Sequence, residues 1–207
     1  LPNPKLQVFP ISEVSSICKK HQVPLIMDNT AAPYISKPIQ HGANVIVYST
    51  TKYIGGHGIS IGGLLIDGGN FDWEAAGDRF KMLNSPDPSY HGAVWTQAAK
   101  PLGPIAYILR ARVILLRDLG AAMSPFNAFT FIQGLETLPL RMQRHCQNAE
   151  KVANFLENHS KVEKVIYPSL MKDQYLERAK KHLNEGFGAL LGFELKDGVE
   201  AGKNFIN

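Results

Sequence analysis

Two short apolar runs, each followed at once by polar side chains, most constrain the fold of this 207-residue chain. The first run occupies 24–27 and stops at Asp28, and the second occupies 44–48 and stops at 49–52. Runs that are apolar at successive positions are typical of strands buried on both faces. Because a helical apolar pattern over 11–18 precedes them, we predict an α/β fold with a mainly parallel sheet covered by helices on both sides.

Further along the chain, the apolar pattern predicts a third strand, a long helix and a second region of mixed structure. The third strand is predicted at 63–67, and apolar residues recur every three or four positions from 135 to 156. Pro139 lies inside that pattern and predicts a kink or a helix boundary. Strand patterns follow at 162–168 and 189–195. We therefore predict an α/β region followed by a second domain, which is entered near 139–160 and is only partly present.

Two further stretches lie between the strands and the long helix. Residues 70–92 are polar and rich in proline, glycine and aromatic residues, which predicts a loop. Helical periodicity returns over 104–119. We expect a long surface loop followed by a helix in this part of the chain.

Composition and charge argue against several function classes. Hydrophobic residues make up 44% and charged residues 19% of the chain, as in ordinary globular proteins. No apolar run approaches the roughly 20 residues of a membrane-spanning helix. The net charge is +4, and the basic residues are scattered instead of forming the concentrated face that nucleic-acid binding needs. We expect a soluble cytoplasmic protein that binds neither nucleic acid nor membrane.

An acid and an amine stand at the predicted strand ends, where ligands gather in open α/β sheets. If the strands are parallel neighbours, Asp28 and Lys52 face one crevice. Such a pair suits pyridoxal phosphate (PLP), because a lysine bonds the aldehyde and a carboxylate keeps the pyridine nitrogen protonated. The hydroxyls of Ser49 and Thr51, just before the lysine, can donate to the phosphate.

Simpler interpretations of the same residues stay open. Lys52 could be an exposed loop lysine, and Asp28 a helix cap or an ion-pair partner. The stretch 58–62 fits the G-x-S-x-G pattern of serine hydrolases. A strand is predicted after it where that motif requires a helix, so a nucleophilic Ser60 is disfavoured. His57 is expected to make a structural hydrogen bond in a tight loop.

Several segments together resemble the Cys/Met-metabolism PLP-dependent enzymes. The segments are 23–30 around Asp28, 48–58 around Lys52, 134–138 with Arg141, Met142, Asn148 and Ala149, and 167–170. This family includes cystathionine synthases and lyases, methionine γ-lyase and the homoserine-ester sulfhydrylases. The resemblance implies a PLP-dependent transferase fold, aspartate aminotransferase-like and of fold type I.

One longer segment narrows the resemblance within the family. The region around Phe80 and 86–92 is similar to the O-acetylhomoserine sulfhydrylases. This similarity implies a γ-replacement that converts O-acetyl-L-homoserine and sulfide to L-homocysteine and acetate. The alternatives are a cystathionine γ-synthase, a cystathionine γ-lyase or a methionine γ-lyase. A catalytically inactive PLP-fold module that serves only in oligomerisation is an alternative of another class.

The resemblance also implies a role for each matching residue. Lys52 would be the Schiff-base lysine and the proton shuttle, and Asp28 would pair with the pyridine nitrogen. Ser49 and Thr51 would bind the phosphate, and Asn3 would lie beside the ring hydroxyl. No metal site is expected.

The resemblance covers almost the whole chain but only about half of a typical family member. Residues 1–139 would belong to a PLP-binding large domain without its N-terminal portion. Residues 140–207 would be the linking helix and the truncated start of a smaller α+β C-terminal domain. We expect the partners to be an amino-acid ester substrate and a sulfide donor, in a homotetramer built as a dimer of dimers. Arg141 and Arg144 are candidates for a contact with a neighbouring subunit.

Overall fold

A computed structural model describes residues 1–2 and 4–207, and Asn3 lies outside the described residues. The strands are β1 Ile26–Asp28, β2 Val45–Ser49, β3 Gly63–Asp67, β4 Val162–Ile166 and β5 Gly192–Leu195. The helices are α1 Ile11–Lys20, α2 Lys81–Asn84, α3 Trp95–Ala99, α4 Ala106–Arg110, α5 Pro125–Glu157, α6 Asp173–His182 and α7 Gly198–Ile206. Shorter 3-10 turns include Pro38–His41 and Pro88–Tyr90, and a π-helical segment covers Ala111–Asp118.

The first three strands form one mixed sheet in the order β1-β2-β3. β1 and β2 are parallel, with Asp28 beside Val47, which confirms the expected pairing of the first two strands. β3 runs antiparallel to β2, with Gly63 beside Ser49. The β-branched residues of β2 suit a central strand, because they pack against neighbours on both faces. Because β1 and β2 are parallel neighbours, both strands end at the same edge of the sheet.

The strand β3 is less covered than β2 in the described part of the chain. Leu64, Leu65 and Ile66 are 42%, 37% and 38% exposed. Successive strand residues point to opposite faces, so both faces of β3 are partly open in the described part of the chain. By contrast, Val45 and Ile46 of β2 are almost completely buried.

The stretch predicted as a loop, 70–92, is held by packed aromatic rings. Phe71 and Trp73 lie edge to face at 4.6 Å between ring centroids, and Trp73 stacks on Tyr107 at 5.2 Å. These rings belong to a buried cluster with Trp95 of α3. Large aromatic contact areas order a segment that has little regular hydrogen bonding of its own. The helical pattern over 104–119 is confirmed as α4 and the π-helical segment.

Of the two alternatives predicted at Pro139, the helix boundary is wrong, because α5 continues through this residue, and the kink stays a prediction. The helix begins at Pro125 and continues through Pro139 to Glu157. Proline removes one backbone hydrogen bond from a helix interior. Leu138 and Met142 are both buried on either side of it, and tertiary packing of this kind supplies most of a helix's stability. The proposed domain boundary between 139 and 140 falls inside this helix and stays a prediction.

One hydrophobic core cluster joins residues shortly after β1 to residues of α5 and α6 that lie far along the chain. Ala32 and Ile35, shortly after β1, pack with Met142 of α5 and with Ala179 and Leu183 around α6. The backbone N–H of Asn184 also donates to the Ile35 carbonyl at 2.7 Å. The sequence patterns did not predict α6, which supports the segment after β1 from outside. The strands predicted at 162–168 and 189–195 are confirmed as β4 and β5, and in the structure they pair antiparallel.

Candidate active site at the ends of β1 and β2

Asp28 and Lys52 line the same cavity, which has a volume of about 750 Å3. Asp28 ends β1, and Lys52 follows β2 by three positions. Because parallel neighbours end at one sheet edge, their side chains reach the same space. The cavity is also lined by Leu1, Pro2, Phe9, Leu25, Ile26, Met27, Thr30, Ala31, Tyr53 and Leu190. The structure therefore brings the predicted acid and amine together.

The Asp28 carboxylate lies at an exposed strand end with a local hydrogen bond. Its Oδ1 accepts the backbone N–H of Thr30 at 2.8 Å, which fixes one oxygen of the group. Asp28 thus supplies negative charge on one side of the cavity.

Asn29 does not line the cavity but is buried directly after Asp28, and the sequence patterns did not predict its contacts. The side chain is buried, and its amide nitrogen donates to the carbonyls of Ala32 and Ser36 at 3.2 and 3.1 Å. It also donates to the Tyr48 hydroxyl at 2.9 Å, and burial raises the pKa of Tyr48. A buried amide with satisfied donors rigidifies the chain around it. An asparagine directly after a strand-end acid was the available signal.

Thr30 ties the two strand ends to each other. Its Oγ1 accepts the backbone N–H of Ser49 at 2.7 Å, and the backbone N–H of Asn29 donates to the Val47 carbonyl at 3.0 Å. These bonds extend the β1–β2 pairing beyond the strands. The position of the residues after β2 is therefore coupled to the position of Asp28.

Lys52 lies in a tight turn with an exposed side chain. The N–H of Gly55 donates to the Thr50 carbonyl and that of Gly56 to the Lys52 carbonyl, both at 2.8 Å. Gly56 has a φ of +75°, a left-handed conformation that glycine adopts without a steric cost. The turn therefore fixes the backbone from which the amine projects.

Ser49 and Thr51, the residues predicted to bind the phosphate, do not line the cavity that Asp28 and Lys52 share. Ser49 is half-buried at the end of β2. The Thr51 hydroxyl accepts the Gly62 N–H at 3.0 Å and donates to the Gly62 carbonyl at 3.3 Å. Thr51 lines a separate small cavity with Ser60. In this structure the Thr51 hydroxyl therefore bonds the backbone just before β3. The phosphate-binding roles of Ser49 and Thr51 stay predictions. Asn3 lies outside the described residues.

Arg141 of α5 contacts the turn that carries Lys52. Its Nη1 donates to the Tyr53 carbonyl at 2.7 Å, and its Nη2 donates to the Ile54 carbonyl at 3.3 Å. Nη2 also reaches the carbonyl of Gly134 in its own helix at 2.7 Å. From the sequence alone, Arg141 matches the family resemblance, and the role predicted for it is a contact with a neighbouring subunit. No local pattern could show that it points at residues more than eighty positions earlier.

The serine-hydrolase interpretation has no support in the geometry. Ser60 Oγ lies 3.0 Å from Thr130 Oγ1, and the strand β3 follows it in place of a helix. A nucleophile elbow needs a helix at that point. His57 Nδ1 lies 2.7 Å from the Gly55 carbonyl, so the expected structural hydrogen bond in this loop is confirmed.

A comparison with known protein families shows to which family the chain is related. The profile of the Cys/Met metabolism PLP-dependent enzymes matches residues 1–207. The chain belongs to this family.

Individual members of the family are similar along almost the whole chain. The O-acetyl-L-homoserine sulfhydrylase of Leptospira meyeri is 53% identical over 100% of this chain and 48% of its own length. The homocysteine/cysteine synthase of Saccharomyces cerevisiae is 43% identical over 97% of this chain and 45% of its own length. The chain therefore spans about half the length of these relatives.

Solved structures of the family share the fold. A putative O-acetylhomoserine (thiol)-lyase from Campylobacter jejuni, with N'-pyridoxyl-lysine-5'-monophosphate, is 41% identical with a TM-score of 0.85. That match covers 95% of this chain and 48% of the other. A cystathionine γ-synthase from Xanthomonas oryzae is 30% identical with a TM-score of 0.72, covering 99% of this chain and 44% of the other. The predicted fold type I architecture is confirmed.

The cavity of this PLP-dependent family member fits its cofactor by the chemistry of its side chains. Lys52 offers an amine to an aldehyde, and Asp28 offers a carboxylate to a pyridinium N–H. Phe9, Tyr53 and Leu190 supply apolar and aromatic surface for a planar ring. No helix in the described residues is long and apolar enough to cross a membrane.

Proposed function

We propose that this chain forms the cofactor-holding centre of an enzyme that replaces the γ-substituent of an O-acylated homoserine with sulfide. The proposed reaction converts O-acetyl-L-homoserine and sulfide to L-homocysteine and acetate. One observation carries the proposal: Asp28 and Lys52 line one cavity at the ends of neighbouring parallel strands. The names of relatives from Leptospira meyeri and Saccharomyces cerevisiae support this reaction within the family.

The proposed chemistry assigns separate tasks to the two ends of the cavity. Bound pyridoxal phosphate supplies an aldehyde that bonds amines and a pyridinium ring that accepts electrons. Lys52 would hold the cofactor covalently, and its freed amine would move a proton at the substrate α-carbon. The Asp28 carboxylate would accept a hydrogen bond from the protonated ring nitrogen. We propose that the Ser49 and Thr51 hydroxyls donate to the phosphate.

The arrangement of the Asp28 carboxylate supports its proposed role. Its Oδ1 already accepts the Thr30 N–H, so the carboxylate is oriented without help from a ligand. A preoriented charge does not have to reorganise when the ring nitrogen arrives, and such preorganisation is a large part of enzymatic rate enhancement.

Borohydride reduction of the protein with added PLP tests the proposal. We expect PLP to give a yellow absorbance and borohydride to fix the cofactor to Lys52, as peptide mass mapping would show. The Lys52→Ala variant should lose both signals, while Lys37→Ala, which removes another exposed lysine, should keep them. Unchanged absorbance and labelling in Lys52→Ala would overturn the proposal. Absence of any labelled lysine in the unaltered protein would instead favour an inactive oligomerisation module.

A second candidate reaction has one specific observation in its favour. The structural match to a cystathionine γ-synthase, with a TM-score of 0.72, favours cysteine as an alternative sulfur nucleophile. Turnover of O-acetyl-L-homoserine with either sulfide or cysteine separates the two reactions, because the products are homocysteine and cystathionine. A lyase would release a keto acid without either nucleophile.

Assembly and location follow from the family resemblance. We propose a homotetramer built as a dimer of dimers and a cytoplasmic location. Light scattering on the purified protein measures the first, and fractionation of cells measures the second.

A further inference from the structure

The Arg141 guanidinium makes a set of hydrogen bonds with the backbone just after Lys52. Its Nη1 and Nη2 donate to the carbonyls of Tyr53 and Ile54 at 2.7 and 3.3 Å. Its Nε donates to the Thr137 hydroxyl at 3.1 Å, and Nη2 donates to the Gly134 carbonyl at 2.7 Å. One side chain of α5 therefore joins the turn of Lys52 to its own helix.

The close contact between the turn and α5 depends on glycines. A Cβ at Gly134 would collide with the carbonyl oxygens of Ile54 and Gly55, at 2.6 Å from the latter. A Cβ at Gly56 would lie 2.7 Å from Nη1 of Arg141. The helix and the turn approach closely enough for the guanidinium to bridge them only because these positions carry no side chain.

An arginine suits this position better than any other cation. Its planar group presents five N–H donors in a fixed fork, whereas a lysine offers one compact ammonium. Hydrogen bonds from a charged donor are about twice as strong as neutral ones. Burial lowers the pKa of Arg141 from its ordinary value, but arginine starts far above neutral pH and stays charged.

We propose that Arg141 is a positioning residue, which holds the 52–56 turn so that the Lys52 amine points into the cavity shared with Asp28. This inference rests on the proposed cofactor role of Lys52. Lysine has a long, flexible side chain, so the backbone of its turn is the part that the fold can fix. If the turn were released from α5, the Lys52 amine would point in more directions. Cofactor binding would then have to order the amine, and this loss of entropy would lower the affinity for the cofactor. Arg141 itself does not line the cavity and acts only through the turn.

The substitution Arg141→Lys tests this role, with Arg144→Lys as its matched control. Arg144 lies in the same helix with an exposed side chain, so the control removes the same functional group without touching the turn. Arg141→Lys keeps the charge but loses the fork. We expect the dissociation constant of added PLP to rise about tenfold in Arg141→Lys, as the loss of about one charge-assisted hydrogen bond predicts. Arg144→Lys should bind PLP like the unaltered protein.

Three further readouts separate positioning from general destabilisation. Amide hydrogen exchange should speed up at residues 52–56 in Arg141→Lys, while the amides of α1 keep their protection. The visible circular dichroism of bound cofactor should weaken, because it reports a fixed orientation. Methylguanidinium added to Arg141→Ala should restore part of the PLP affinity and should leave Arg144→Ala unchanged.

The outcomes distinguish this inference from the proposed function. If borohydride fixes PLP to Lys52 in the unaltered protein but Arg141→Lys matches it in affinity, exchange and dichroism, the positioning role is overturned. A uniform rise in exchange across the chain would overturn it as well, since Arg141 would then support the fold in general. If the unaltered protein shows no labelling of Lys52, the proposed function fails first.

Discussion

The Asp28 segment (28–36) and the Lys52 segment (49–56) face the same cavity but are held by different means. Both segments have internal hydrogen bonds, but a different helix supports each of them. In the Asp28 segment the Asn29 amide donates to the carbonyls of Ala32 and Ser36, and the residue after α6, Asn184, donates to the Ile35 carbonyl. The Lys52 segment is held in addition by the distant helix α5, whose Arg141 side chain bonds the backbone of the turn and whose Gly134 lies against it.

This difference suits the proposed tasks of the two residues. Asp28 has a constant task, which is to hold charge opposite a ring nitrogen. Lys52 would hold the cofactor and would also move a proton, so its amine would need freedom to move above a fixed backbone. Support that acts on the carbonyls of the turn and leaves the side chain exposed provides both.

The largest expected effect comes from separating the Lys52 segment from α5. Gly134→Ala places a methyl group against two backbone carbonyl oxygens, which cannot move without opening the turn. Overpacking of this kind costs about 3 kcal/mol. Chemical denaturation should show this loss, together with weaker PLP binding.

Gly202→Ala is the matched control for that substitution. Gly202 lies in α7, where a Cβ meets no atom within 4 Å among the described residues. Alanine is favoured over glycine in a helix by about 1 kcal/mol, so this variant should be slightly more stable. If Gly134→Ala were as stable as Gly202→Ala, the contact between the turn and α5 would not be tight.

The same contrast explains which parts of the site were predictable. The strands, their parallel pairing and the polar residues at their ends follow local patterns, so Asp28 and Lys52 could be placed at one sheet edge from sequence. The support of the Lys52 segment could not, because Arg141 and Gly134 lie in another helix, far along the chain. The polar side chain of Thr51 was assigned to a ligand, although its hydroxyl bonds Gly62 in this structure.

The fold, too, could be predicted only where local patterns determine it. The apolar pattern over 135–156 predicted the later part of α5, but Pro139 suggested a boundary that the buried Met142 and Leu138 override. The aromatic packing over 70–92 was missed because it depends on rings such as Tyr107 that lie outside the segment. Local rules predict strands and helices well, and they fail where a tertiary contact outweighs the local preference.

Acid should weaken the support of the Asp28 segment before that of the Lys52 segment. His182 at the end of α6 is 0% exposed, and neither ring nitrogen has a hydrogen-bond partner among the described residues. Burial, with a smaller contribution from His41, lowers the pKa of His182 from 6.5 to about 4. The unfolded chain therefore takes up the proton first as the pH falls. This contribution to stability is complete above about pH 6.5 and falls by about 3 kcal/mol towards pH 4.

Denaturation at several pH values measures this loss. The variant His182→Leu should show a flatter dependence between pH 6.5 and 4, because an apolar side chain has no proton to gain at that buried position. His21→Leu removes an exposed histidine and should keep the original slope. Amide exchange near Ile35, which accepts the Asn184 N–H, should rise in acid before exchange at 52–56 does. Equal slopes in both variants would show that His182 does not carry the effect.

The smallest expected effect tests the bond that joins the two segments. Thr30→Val keeps the shape of the side chain but removes the oxygen that accepts the Ser49 N–H at 2.7 Å. An N–H without its partner costs about 1 kcal/mol, and exchange at the Ser49 amide should rise about tenfold. Thr30→Ser keeps the hydroxyl and should retain the protection of that amide. If both variants protect Ser49 equally, the two segments are positioned independently, and the coupling that we infer between Asp28 and the residues after β2 does not exist.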